Sequence, residues 1–317
     1  IQPMAAAGRL PHLGRWMAEG FQAPLRSTCP PVTFPAWSTF MTGLEPAQHG
    51  IYDFTQKIPG RYRVRFVNAS HRYGESIFAP ISRAGGQVLV LGLPATFPPE
   101  AVRGLLVSGF DAPVSVGTDE HSASDPGLYR RIAERAGPWM RPSLDEAATG
   151  ADFHERAVET LLDRIDRKTG FALEALQTLR KDSQGKRPEL MMVVFSESDT
   201  VGHHYWRDHD PDSPRHDASA SPARRGAVEA VYARLDAACG QLREAYGEDA
   251  LCLVVSDHGM GGASRHIVHL NAYLEASGFL KRRHSNLRSS DNWARMARSL
   301  ALRAIPPGIA QKLFRRA

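Results

Sequence analysis

Leu251-Cys252-Leu253-Val254-Val255-Ser256-Asp257-His258-Gly259 is an apolar, partly β-branched run that closes on a carboxylate, an imidazole and a glycine. A second run of this kind, Met191-Met192-Val193-Val194-Phe195, leads into Asp199 and His203 with the spacing D-x-x-x-H, and Gly202 precedes the histidine. Short apolar runs bounded by turn residues predict buried strands, which belong in an α/β fold with a mainly parallel sheet. Open sheets of that class place their ligand sites at the C-terminal ends of the strands. Carboxylate oxygen with imidazole nitrogen is a donor set suited to Zn²⁺ and similar cations, and two such pairs suggest a two-metal hydrolase. A single Asp-His pair would be weak grounds, because both residues are common in loops and at helix N-termini. The second pair is what gives the first its meaning.

Outward from these runs, strand and helix alternate. Gln87-Val88-Leu89-Val90-Leu91 and Leu105-Leu106-Val107 predict further strands. Val158, Leu161, Leu162, Ile165, Thr169, Ala172, Leu173, Leu176 and Leu179 recur at three and four, the spacing of a long amphipathic helix. It lies in a stretch, 114–190, that reads as a helical insertion. Val228, Val231, Tyr232, Leu235, Cys239 and Leu242 predict another helix, crossing over between the two site-bearing strands and making them parallel. Residues 207–225, with Asp208, His209, Asp210, Asp212, His216 and Asp217, predict a solvated polar loop in preference to an extra metal or substrate-gating segment.

Pro30-Pro31-Val32-Thr33-Phe34-Pro35-Ala36-Trp37-Ser38-Thr39-Phe40-Met41-Thr42-Gly43 is a proline-marked loop running into a short helix that Gly43 can end. Pro35 suits a first helical turn, where its missing N–H costs nothing. Thr33 then stands just ahead of a helix N-terminus, whose free N–H groups and dipole favour an alkoxide or a bound phosphate. A threonine hydroxyl attacks poorly until a base or metal takes its proton, and a metal held by Asp257 and His258 could do so.

Thr33-Phe34-Pro35, Thr42-Gly43, Pro46 and His49-Gly50, followed by Asp199, Gly202-His203 and Ser256-Asp257-His258-Gly259, resemble the alkaline phosphatase superfamily. Within it, the type I phosphodiesterase/nucleotide pyrophosphatase group, with its phosphohydrolase and phosphomutase branch, is the nearest likeness. Gly8–Leu13, Leu93–Pro99, Val107–Pro113, Tyr232 with Leu235-Asp236, and Leu270-Asn271 with Leu274 fit the same branch. The resemblance implies an alkaline-phosphatase-like three-layer α/β sandwich with a mainly parallel central sheet, formed by 1–317 as one catalytic domain. It implies that Thr33 is the nucleophile, transiently phosphorylated and touching one metal. Asp257 and His258 would hold that metal, and Asp199 and His203 the other, the two ions about 3.5–4 Å apart. Zn²⁺ is the expected metal, with Mn²⁺ or Mg²⁺ as alternatives.

Three departures qualify the likeness. The family carries another Asp at the end of a first strand, upstream of Gly8–Leu13, and a third ligand, a His, far downstream of Asp257-His258-Gly259; both are expected outside these 317 residues. His266 and His269 are the substitutes nearest in sequence. Nucleotide pyrophosphatases place an Asn where this chain has Ala36, which argues against nucleotide substrates. Cys29-Pro30-Pro31-Val32-Thr33 shares only Cys and Pro with the sulfatase motif, so sulfate esters are disfavoured.

With 317 residues and 42% hydrophobic content the chain can bury a large core. No apolar run reaches the roughly 18–20 residues that span a bilayer. Cys29, Cys239 and Cys252 read as reduced core residues, and a cytoplasmic location is expected. Residues 281–317 carry ten Lys or Arg against one acid, Asp291, so the rest of a chain of net charge +5 is acidic. That basic stretch predicts a solvated cap or, second, weak contact with an anionic membrane. No nucleic-acid motif is present. The reading is a metal-dependent hydrolase of phosphodiesters or phosphomonoesters. A phosphomutase and a non-catalytic binding module are the alternatives.

Overall fold

The computed structural model describes residues 1–61, 63–111, 119–140 and 151–281, which fall in two compact units, 1–263 and 264–317. In chain order the first unit carries α1 (Gln2–Ala6), α2 (Pro11–Glu19), α3 (Thr33–Thr42), α4 (Pro46–His49), β1 (Thr55–Lys57), β2 (Val64–Phe66), α5 (Phe78–Arg83), β3 (Val88–Leu93) and β4 (Gly104–Ser108). It continues with α6 (Pro126–Ala136), α7 (Ala151–Asp182), β5 (Leu190–Val193), α8 (Glu197–His209) and α9 (Pro222–Tyr246). The second unit carries α10 (Leu270–Ala276). The basic stretch expected over 281–317 lies outside the described residues apart from Lys281, and contact with a membrane finds no support. Among the described residues no helix is long and apolar enough to cross a membrane.

β3 is apolar at nearly every position because both its faces are covered. It is the middle strand of a three-stranded sheet in the order β4-β3-β5, parallel throughout, with Val88 opposite Gly104 on one side and Leu190 on the other. Alternate side chains point to opposite faces. Leu89, Leu91, Leu105 and Val107 meet Ile132 of α6 and Phe171 and Leu176 of α7. Val88, Val90 and Leu106 meet Phe34, Trp37 and Met41 of α3 and Phe78 of α5. Helices on both faces of a parallel sheet make the three-layer α/β sandwich expected from the sequence. Between β4 and β5 the chain carries helices α6 and α7.

The long helix predicted from apolar spacing is α7. Its stripe divides between two neighbours: Phe171, Ala172, Leu176 and Leu179 face the sheet, while Leu161 and Ile165 pack with Val201 and Tyr205 of α8 and Val228 and Val231 of α9. That second contact seats α8, the helix bearing the D-x-x-x-H motif.

The strand predicted over 251–256 is not formed: these residues have no regular secondary structure, and Leu251, Leu253 and Val254 are 87%, 70% and 56% exposed. Apolar patterning reports what a segment would bury. A strand also needs a neighbour to pair its backbone, and no described segment pairs with this one. Two of the cysteines expected in the core, Cys29 and Cys252, are likewise exposed, and all three are free.

The stretch 207–225, expected as one solvated loop, takes in the end of α8 and the start of α9, which an ion pair joins. The wholly buried carboxylate of Asp208 accepts from Arg224 Nε at 3.0 Å and Nη2 at 2.9 Å. Arg207 Nη2 donates to Asp217 at 3.0 Å, and His216 Nδ1 lies 3.0 Å from the Arg207 carbonyl. Hydrogen bonds from the Ser219 hydroxyl, the Arg207 guanidinium and the Ser219 N–H hold the Asp217 carboxyl down to about 2. A pKa lowered on folding adds stability above the unfolded value of about 3.9, and that stability is lost as pH falls through the folded value. The advantage of wild type over Asp217→Asn, read from urea melts, should therefore be constant above about pH 5 and vanish toward about pH 2.

Candidate active site

Thr33 is the first residue of α3, after Val32, and Gly43 ends the helix in the left-handed conformation at φ 69°. The first-turn N–H groups of a helix have no intrahelical acceptor, so the Thr33 hydroxyl stands among free donors at the positive end of the helix dipole. Its Oγ1 lies 3.2 Å from His258 Nε2. His258 Nδ1 lies 2.9 Å from the Gly259 carbonyl, which can only accept, so the ring hydrogen is on Nδ1. The Nε2 lone pair is thereby turned toward Thr33, able to accept its hydrogen or to ligate a cation.

The neighbouring backbone is held by two serine hydroxyls. Ser27 Oγ donates to the Asp257 carbonyl at 2.6 Å, and Ser256 Oγ donates to the His258 carbonyl at 2.6 Å. Side-chain bonds thus do here what a strand ladder was expected to do.

Asp199 and His203 lie on α8, one turn apart, with His203 Nε2 3.5 Å from Asp199 Oδ2. In the other pair His258 Nε2 is 3.5 Å from Asp257 Oδ2. The two pairs are linked through Gly202: a Cβ built there would come within 2.7 Å of Met260 Cε, so only glycine leaves this Met its place. Burial pushes the Asp257 carboxyl up, His258 pulls it down, and the charge of Asp199 pushes it up again. Asp199 also raises the Tyr232 hydroxyl, after burial.

Asp199 Oδ1 and Asp257 Oδ2 are buried and accept no hydrogen bond. Buried carboxylate oxygens without donors are costly, and two mutually repelling carboxylates compound the cost. Divalent cations would satisfy both oxygens, so the residues present fit the metals that the motifs imply. Among the described residues no three or more His, Cys, Asp or Glu side chains converge as a metal cage. His266 and His269 belong to the second unit.

Other residues of the expected motifs turn out to be supports. Asp236 of α9 is buried and accepts from the His12 N–H at 3.1 Å and the Leu13 N–H at 2.7 Å, capping α2. His49, fully buried, lies with Nε2 3.0 Å from Thr39 Oγ1, and its Nδ1 accepts from the Ile51 N–H at 3.1 Å. Burial and the charge of Arg72 lower its pKa. Asp111 accepts from the N–H groups of Ala95 at 3.1 Å and Phe97 at 3.0 Å, fixing the loop after β3. Ser27 and Met260 carried no sequence signal of these contacts, which depend on how distant segments meet.

The family described as type I phosphodiesterase / nucleotide pyrophosphatase matches residues 1–311. The chain belongs to that family. Among solved structures, it is similar to phosphonoacetate hydrolase from Sinorhizobium meliloti 1021 in complex with phosphonoformate, with 17% identity and a TM-score of 0.44. The likeness covers 76% of this chain and 50% of that one, so the chain spans half the length of that structure. No curated protein matches the chain.

Proposed function

We propose that this chain carries a catalytic site for metal-dependent hydrolysis of phosphate esters, with Thr33 as nucleophile. The 3.2 Å approach of Thr33 Oγ1 to His258 Nε2, in the first turn of α3, carries the reading. Asp257 and His258 would hold one divalent cation, and Asp199 and His203 a second, with Zn²⁺ favoured by the mixed nitrogen and oxygen donors. When bound, such ions lower the pKa of a nearby hydroxyl and neutralise charge on the phosphoryl oxygens.

The rest is done by the chain. Thr33 Oγ1 gives up its proton to solvent and attacks phosphorus, and the ester oxygen leaves as an alcohol protonated from solvent. Water then cleaves the threonine–phosphorus bond, releasing phosphate from a monoester or a phosphomonoester from a diester. The free N–H groups at the start of α3 bind the phosphoryl oxygens. Ala36 supplies no side-chain amide to the phosphoryl group, which directs the proposal toward simple phosphodiesters and phosphomonoesters in preference to nucleotides.

The test is hydrolysis of bis(p-nitrophenyl) phosphate and p-nitrophenyl phosphate by the Zn²⁺-loaded protein. A chelator should reduce both rates to background, and added Zn²⁺ should restore whichever ester is the substrate. Rates indifferent to chelation would overturn the reading.

A further inference from the structure

Lys168 of α7 and Glu197, the first residue of α8, are 2% and 1% exposed. Lys168 Nζ lies 2.8 Å from Glu197 Oε1 and 3.0 Å from Oε2, and donates at 3.3 Å to Ser196 Oγ. Its ammonium also stands 5.6 Å from the centre of the Trp139 ring. Arg164, one turn earlier on α7 and also buried, interacts with Glu197 through its charge.

A lysine this deeply buried is rare, and the desolvation of two charges offsets much of their attraction. An apolar pair would fill the same space at little cost in stability, so stability alone does not account for it. The cation also stands against the local field, because a helix N-terminus repels positive charge; the Glu197 carboxylate lies between the two. The N-cap residue Ser196 makes no side-chain capping bond, and its hydroxyl faces Lys168 instead.

The buried pair bears on the candidate site through α8. Asp199 lies in the same first turn of this helix as Glu197, and His203 is one turn on, at i,i+4, on the same face as Asp199. Successive residues of a helix are rotated by about 100°, so a small slip of α8 about its axis swings both side chains together. Val201 and the Tyr205 ring seat the middle of α8 by apolar packing, and the Tyr205 hydroxyl donates to the His154 carbonyl of α7 at 2.5 Å. The bond from Lys168 to Glu197 and Ser196 is directional and acts at the end of α8 nearest Asp199.

We propose that Lys168 is a positioning residue, which acts through Glu197 and Ser196 to fix the rotation of α8 and so aim Asp199 and His203 at a shared cation. The proposal rests on the reading of these two residues as metal ligands.

The test compares Zn²⁺ titrations of the metal-free wild type and Lys168→Met/Glu197→Leu, in competition with a chromophoric chelator. The melting temperature of the double variant, which also loses the Glu197 charge facing Arg164, is read first to establish that it folds. One ion should bind the double variant as in wild type and the other at least about tenfold more weakly, the usual effect of losing support behind a ligand. Adding Asp257→Ala should remove the ion that remained tight. Glu197→Gln, which keeps the shape and loses the charge, should weaken the same ion and decides the matter if the double variant does not fold. Two ions bound with wild-type affinity by either folded variant would overturn the proposal. So would failure of both variants to fold, since the pair would then be structural alone. A wild type that binds no Zn²⁺ would remove the ligand assignment itself, an outcome visible before any variant is compared.

Discussion

Thr33→Ala is expected to lower the rate of phosphate-ester hydrolysis by at least about 10³-fold while leaving metal content and melting temperature unchanged. The hydroxyl stands in the first turn of α3, 3.2 Å from His258 Nε2. Its removal leaves the ligand carboxylates and imidazoles in place. Half-buried at the helix start, the side chain carries little packing. Thr33→Ser should retain much of the activity, because it keeps the oxygen and drops only a methyl group. Rapid quenching of wild type with a phosphodiester should trap the monoesterified phosphoryl group on Thr33, and the Ala variant should trap none. Steady-state rates of the Ala variant close to wild type would exclude the nucleophile assignment.

Asp257→Ala and His203→Ala should each lose about one bound ion, and hydrolysis should fall by at least about 10²-fold in both. Each substitution removes one of the two donors proposed for its ion. The pH dependence has a definite sign. Burial and the neighbouring charge of Asp199 raise the Asp257 carboxyl in the metal-free fold, opposed by His258. A cation must then displace a proton held more tightly than by an ordinary carboxyl, so affinity should rise with pH and weaken toward acid. Equilibrium dialysis across this range reads it directly. Full metal content with unchanged rates in both variants would exclude the ligand assignments.

The outcome for individual residues shows where sequence reasoning stops. Val88–Leu91 and Leu105–Val107 were legible as strands because a strand buried on both faces must be apolar throughout. The α7 and α9 helices were legible from three- and four-residue spacing. Leu251–Ser256 carries an equally strong apolar pattern, yet forms no strand among the described residues. Pattern records preference, while pairing depends on what lies alongside. The polar stretch 207–225 misled in the opposite direction, because its two ends are helical. Its charges suggest solvent, but Asp208 is buried against Arg224, and Arg207 ties Asp217. Charge complementarity between residues 16 apart becomes visible only when the chain folds back on itself.

By itself, the sequence determined the class of fold, the residue types of the candidate site and the order in which they occur. Each of these rests on local chemistry: apolar period, helix signals, and donors suited to a cation. Only the tertiary structure decided which of them meet. It brought Thr33 to His258 across 225 positions, put Met260 over Gly202, and set Lys168 beneath the start of α8. The physical reason is that burial and hydrogen-bond geometry belong to pairs of distant segments. The unpaired oxygens of Asp199 and Asp257, and the charge buried at Lys168, exist only once those segments have closed around them.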